Sequence, residues 1–161
     1  LAMAAYLYGE TPVRKAVTAL LVIAAVLLAI PQSDSRDGGA GARKLSEGQV
    51  AYSAATLASY REVGKPVFVD VTADWCITCL ANKAAVLFTP EIEAAFLAAD
   101  LPYMIADWTD YDADIGEFVK FHGRSGIPLY VMYPRGIGSD PVILPQLLTR
   151  DIVLSAIEKA Q

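Results

Sequence analysis

The sequence predicts an α/β domain, a central mixed sheet flanked by helices, preceded by a transmembrane helix. Three observations carry this expectation. An uncharged apolar run lies near the N-terminus, a segment too polar to fold comes after it, and β-branched runs then alternate with helix-forming stretches to the C-terminus. The 161 residues suffice for one domain and a tail. A hydrophobic fraction of 55% is high for a soluble domain of this size, so part of the chain is expected to meet lipid. Thirteen basic against 18 acidic residues, a net charge of −5, lack the clustered cations that a nucleic-acid partner needs. Two cysteines exclude a framework of several disulfides and a four-cysteine zinc site.

Residues 16–30 read AVTALLVIAAVLLAI, without charge, after Arg14 and Lys15 and before Pro31. The run is shorter than the roughly 20 residues of a bilayer span, but Pro12, Val13 and snorkelling of the basic pair bring it near the lower limit. A secretory signal peptide shares this pattern. Against it, the chain starts at Leu1, and the apolar residues 1–8 followed by Gly9, Glu10, Thr11 and Pro12 read as the end of one span, a short loop and the start of another. Residues 1–31 are therefore expected to be transmembrane, the end of a polytopic membrane domain. The basic pair places their N-terminal side in the cytoplasm and the C-terminal remainder of the chain across the membrane. Residues 32–49 (QSDSRDGGAGARKLSEGQ) have the composition of a flexible linker. Residues 50–161 form one domain.

Within that domain Ser53 can cap a helix that reaches Val63 and stops at Gly64. Residues 66–72 (PVFVDVT) form an apolar β-branched strand buried on both faces. Helix-forming residues run from Cys76 to Phe88, and Thr89-Pro90-Glu91 starts another helix with proline at its first position. Residues 103–108 are a second strand, 112–121 a helix stopped by Gly123, 128–133 a third strand and 142–144 a fourth. Thr149 can cap a last helix to Ala160. The alternation implies a mostly parallel sheet with antiparallel additions.

The chemistry centres on Cys76-Ile77-Thr78-Cys79, which comes directly after a buried strand and Trp75 and opens a helix. A helix N-terminus favours thiolate, the reactive form, so Cys76 is the candidate nucleophile. One turn on, Cys79 is placed to displace a mixed disulfide. Haem attachment would need histidine where Leu80 stands, and zinc would need two more ligands, whereas the single histidine is the distant His122. No metal and no diffusible cofactor are expected. A soft-metal module holding Cu(I) through two thiolates is a rival reading. Met3, Met104 and Met132 do not cluster near the motif, which weighs against it.

Asp70 interrupts an apolar strand six residues before Cys76; buried, it would exchange a proton with Cys79, and at a strand end it would reach solvent or cap a loop. The Ile127-Pro128 bond opens the third strand, where either a cis or a trans peptide fits. Trp75, Tyr103, Trp108, Tyr130 and Tyr133 are expected as core and rim packing.

Together, Asp70, Ala73-Asp74-Trp75-Cys76-Ile77-Thr78-Cys79 and Gly126-Ile127-Pro128 resemble the thioredoxin superfamily over residues 50–161. More narrowly, TADWCITC with Asp107-Trp108-Thr109, Gly126 to Tyr130 and Leu144 to Thr149 is similar to the C-terminal periplasmic domain of the DsbD/ScsB thiol:disulfide interchange proteins. The resemblance implies a thioredoxin-like domain on a bacterial inner-membrane protein. It would take electrons from a cysteine pair in the membrane domain of the same polypeptide and pass them to periplasmic thioredoxin-like or disulfide-bearing proteins. It also implies Cys76 as attacking thiol, Cys79 as resolving thiol, Asp70 as buried acid and Pro128 as cis proline, with Asp74 available to select partners by charge. The same fold can run as an oxidase or isomerase. Two positions depart from the family: Leu80 stands where it usually has lysine, and Lys83 where it has an acid. Lys83 is expected on a solvated helix face; turned inward, it would lower rather than raise thiol pKa values.

Overall fold

The computed structural model describes residues 45–161. The expected transmembrane segment, residues 1–31, and residues 32–44 of the expected linker lie outside them. Among the described residues no helix is long and apolar enough to cross a membrane.

The elements in chain order are β1 (Gln49–Ala51), α1 (Ala54–Glu62), β2 (Val67–Thr72), α2 (Ile77–Asn82), a π-helical turn (Lys83–Leu87), α3 (Pro90–Ala98), β3 (Tyr103–Asp107), α4 (Ala113–Phe121), β4 (Leu129–Tyr133), β5 (Val142–Leu144) and α5 (Arg150–Ala160). Five strands form one sheet in the order β1-β3-β2-β4-β5. β3 runs parallel to both β1 and β2, whereas β4 is antiparallel to β2 and to β5. The sheet is thus evenly mixed rather than mostly parallel. The two parallel pairings need helical crossovers, which α1, α2 and α3 supply.

The helix boundaries follow from capping. Ser53 Oγ accepts the Thr56 N–H at 3.0 Å, Asp112 accepts from Asp114 and Ile115, and Thr149 accepts from Ile152. α1 ends where Gly64 adopts φ +67°; a Cβ there would meet the Gly136 and Ile137 backbone at 3.1–3.3 Å, so glycine is required both for conformation and for space. The helix expected to run unbroken from Cys76 to Phe88 changes at Lys83 into a π turn, one extra residue per turn before Thr89 and Pro90 restart the chain as α3. β1 was not expected, and it begins at Gln49, the last residue of the expected linker. Three residues carry too little periodicity to reveal a strand; pairing with Tyr103, Met104 and Ile105 makes it one.

All six residues of β2 are buried, and their alternation divides the interior in two. Phe68, with Tyr103, Ile105, Tyr130 and Met132 from the flanking strands, packs against Ile92 and Phe96 of α3 and Val153 and Ile157 of α5. Val67, Val69 and Val71 face the other way, with Met104, Val131, Leu57 of α1 and Phe118 and Val119 of α4. The result is helices on both faces of a central sheet, with β2 in its middle leading straight to Cys76. Phe68 is fully buried and its ring lies 5.2 Å from those of Phe96 and Tyr103 and 6.1 Å from that of Tyr130. Phe68→Ala should therefore lower unfolding free energy in urea by about 3–5 kcal/mol. Val63→Ala, at a side chain 74% exposed, should change it by less than about 0.5 kcal/mol. Equal losses in the two variants would contradict this division of the core.

Candidate active site

The redox pair sits where β2 ends and α2 begins. Cys76 is the N-cap residue of α2: its backbone is extended, φ −88° and ψ 93°, and its Sγ accepts the Cys79 N–H at 3.2 Å. A sulfur thus occupies the place usually taken by a serine or aspartate oxygen, at the positive end of a helix. Cys76 and Cys79 are joined by a disulfide, their Cα atoms 5.2 Å apart. Cys79 is fully buried and Cys76 is 7% exposed, so the outer sulfur is the one a partner can reach. Ala73 and Ile127 pack against the pair, and Ile127 leads into a cis peptide to the buried Pro128.

The residues around Cys76 form an exposed rim. Trp75 is 46% exposed, and Ile77 and Leu80 are exposed beside it. Trp75 stacks on Tyr111 with ring centroids 5.4 Å apart, and Trp108 closes the group at 6.4 Å from Trp75. The loop after β3 fastens this rim: Trp75 Nε1 donates to the Thr109 carbonyl at 3.1 Å, and the backbone N–H of Asp74 donates to Thr109 Oγ1 at 3.0 Å. Thr109 is itself held by Asp107, whose Oδ1 accepts from both its hydroxyl and its N–H. Asp74 is exposed at the edge.

Beneath the pair lies a polar cluster inside the core. Asp70 is fully buried on the face of β2 that carries Phe68, between Ile105 of β3 and Tyr130 of β4 by register. Its Oδ2 accepts the Tyr103 hydroxyl at 2.7 Å and lies 3.7 Å from Lys83 Nζ. Lys83 is 5% exposed, which corrects its expected place on a solvated face. It comes one helical turn after Cys79, so it shares that residue's inward-facing side, and Asp70 supplies the countercharge that lets it stay there. Among the described residues, Asp70 and Lys83 are the charged side chains that are buried. Asn82 completes the cluster: its Nδ2 donates to Tyr130 Oη at 2.9 Å and to the Gln146 carbonyl at 2.7 Å, and its Oδ1 accepts the Leu148 N–H at 3.2 Å.

In the sequence Tyr103 and Tyr130 read as packing, Thr109 only as part of the motif Asp107-Trp108-Thr109, and Asn82 carries no signal. Their partners lie 33 to 66 positions away in sequence, and only the strand register brings them together. For Lys83 a signal existed: the four-residue spacing from an inward-facing Cys79. Among the described residues no group of three or more histidine, cysteine or acidic side chains could hold a metal ion.

A family model described as thioredoxin-like matches residues 49–134, from β1 to the end of β4. The chain belongs to the thioredoxin-like family. Over 40 residues, 25% of the chain, it is 48% identical to the thiol:disulfide interchange protein DsbD 1 of Pseudomonas aeruginosa, and that stretch is 7% of the relative's length. The oxidised C-terminal domain of Neisseria meningitidis DsbD superimposes with a TM-score of 0.55 at 25% identity, covering 70% of this chain and 99% of that one. Its reduced form gives 0.54 at 23% identity, covering 70% of this chain and 100% of that one. The thioredoxin-like domain is therefore of the DsbD type, with Cys76 and Cys79 as its close cysteine pair.

The buried phenols give the domain a definite response to alkali. Burial, followed by the charge of Asp70, raises the pKa of Tyr103 well above the ordinary value of 10.0, and the same two causes raise Tyr130. A raised pKa favours the neutral phenol in the folded state. Its contribution is complete below the unfolded value near 10.0 and is lost as pH rises past it, because the unfolded chain releases those protons first. The melting temperature should accordingly decline above about pH 10, with a shallower decline in Tyr103→Phe. At neutral pH that substitution, which takes a donor from a buried carboxylate, should cost about 1.5–3 kcal/mol. Parallel pH curves for wild type and variant would show that the Tyr103 phenol is not held neutral by the fold.

Proposed function

We propose that the domain is a protein-disulfide reductase that takes electrons from a cysteine pair in a membrane domain of the same polypeptide and delivers them to periplasmic partner disulfides. The observation that carries this reading is the placement of Cys76 at the N-cap of α2, its sulfur facing the Cys79 N–H. That geometry stabilises an anionic sulfur at the position a partner can reach. In the reduced domain, Cys76 thiolate attacks one sulfur of a partner disulfide; the partner's S–S bond breaks and a mixed disulfide forms. The partner's other sulfur leaves in that first step as a thiolate and is protonated; Cys79 then loses its proton and attacks Cys76 Sγ, the mixed disulfide breaks, and the partner sulfur that was bound to Cys76 leaves as thiolate to be protonated in turn. Two electrons have passed to the partner, and the Cys76–Cys79 disulfide remains to be reduced again by the membrane-domain pair.

The other residues take supporting roles in this proposal. Asp70 accepts the proton of Cys79, Pro128 and Ile127 shape the backbone beside the sulfurs, and Trp75 with Ile77 and Leu80 offers a protein partner an apolar contact. Asp74, at the rim, biases the choice of partner by charge. No diffusible cofactor enters the exchange. The similarity to DsbD proteins supports placing the domain in the periplasm, on a bacterial inner-membrane protein.

Cys76→Ala should abolish reduction of a partner disulfide by the reduced domain. Cys79→Ala should leave the first attack intact and accumulate a mixed disulfide, visible on a non-reducing gel and released by dithiothreitol. Undiminished reduction by the Cys76 variant would overturn the assignment.

A further inference from the structure

We propose that Lys83 is a positioning residue that keeps the buried Asp70 carboxylate ionised, and so sets the pH range over which Cys79 can give up its proton. This inference rests on the reading of Asp70 as the proton acceptor of the interchange site. Its ground is the arrangement of charge inside the core. A carboxylate with no exposure is unfavourable unless something holds its negative charge, and Lys83 Nζ lies 3.7 Å from its Oδ2 with its own side chain 7% exposed. The Tyr103 hydroxyl donates to that same oxygen at 2.7 Å, which also favours the ionised form.

Among the described residues, Lys83 is the cation that the structure places against Asp70. On the β3 side of Asp70 stands Tyr103, and on the β4 side Tyr130, both neutral phenols held above their ordinary pKa. From α2 and the turn that continues it come Cys79 and Lys83. From α3, Glu93 acts on Tyr103 through its charge, and it is acidic. The ionisable side chains of α5, Arg150, Asp151, Glu158 and Lys159, are exposed. Lys83 is in turn held in place: its Nζ lies 5.7 Å from the centroid of the Phe88 ring, and its backbone N–H donates to the Cys79 and Leu80 carbonyls where α2 passes into the π turn. One turn of helix therefore carries the thiol that must lose a proton and the cation that prepares its acceptor.

The proton step is balanced without another reactant: Cys79–SH and Asp70–COO⁻ become Cys79–S⁻ and Asp70–COOH, and the proton passes on to solvent after resolution. If Asp70 is already protonated, it cannot accept. Removing the ammonium should raise the pH at which the carboxyl takes up its proton by about 1–3 units.

The test uses the full chain, Lys83→Met as a variant of similar length without charge, and Lys83→Glu as its reversal. In protein carrying ¹³C at aspartate carboxyl carbons, the Asp70 resonance is assigned by its loss in Asp70→Asn. Its titration should move to higher pH in Lys83→Met and further in Lys83→Glu, and the pH profile of mixed-disulfide resolution should move in the same direction. An Asp70 resonance titrating at the same pH in wild type and Lys83→Met would overturn the proposal. Should Lys83→Met unfold at neutral pH, the double variant Asp70→Asn/Lys83→Met decides: regained folding supports the pairing, and continued unfolding assigns Lys83 a packing role instead. If the resonance moves but Asp70→Asn leaves the resolution profile unaltered, Asp70 is not the proton acceptor, and it is that reading which fails.

Discussion

A carboxylate and an ammonium group share the interior of this domain, and much of the packing near the cysteines makes that possible. Asp70 lies in the central strand, on the face of the sheet covered by the π turn, α3 and α5, where water does not reach it. An isolated charge there would neutralise or disrupt the core. Lys83 and the Tyr103 hydroxyl meet it from two different elements, so the helix carrying the cysteines and the strand β3 are both registered against β2 by the same oxygen. Moving α2 along the sheet by one turn would separate the charges, which makes the pair a determinant of where the cysteines stand.

Two further polar ties act in the same sense from other directions. Asn82, one residue before Lys83, holds Tyr130 of β4 and the segment from Gln146 to Leu148, so the end of α2 is joined to the approach to α5. On the outer side, Thr109 takes hold of Asp74 and Trp75 while Asp107 fixes Thr109. The dithiol segment is therefore braced at both ends by side-chain hydrogen bonds to loops distant in sequence. The proposed interchange benefits from such bracing, because a sulfur displaced by a small distance loses the alignment that attack on a disulfide demands.

The parts of this arrangement that were legible in the sequence are those written in local pattern. The strands at 67–72, 129–133 and 142–144, the caps at Ser53, Asp112 and Thr149, and the Cys76–Cys79 spacing after a buried strand are all set by adjacent residues. The parts that were not legible depend on register. Tyr103 lies opposite Phe68 across the β2–β3 pairing, and Asp70 is two residues further along the same face, a diagonal neighbour that a long phenol can reach. Nothing near Tyr103 in sequence announces it. Lys83 illustrates a different failure: lysines are rarely buried, and that general rule outweighed the four-residue spacing from Cys79 until the position of Asp70 was known.

Lys83 beside Asp70 sets the electrostatics of the core in a definite way. An acid in place of Lys83 would set two carboxyl groups in competition for one proton, and one of them would be held neutral by the other. With lysine in that place the competition is gone. In the proposed exchange the buried pair is neutral as a whole with Asp70 ionised, so the negative charge that would oppose formation of a thiolate at Cys79 is offset by a cation on the same turn of helix. Under the proposed proton route, the core keeps a carboxyl group ready for a proton by compensating its charge with Lys83 rather than by suppressing it with a second acid.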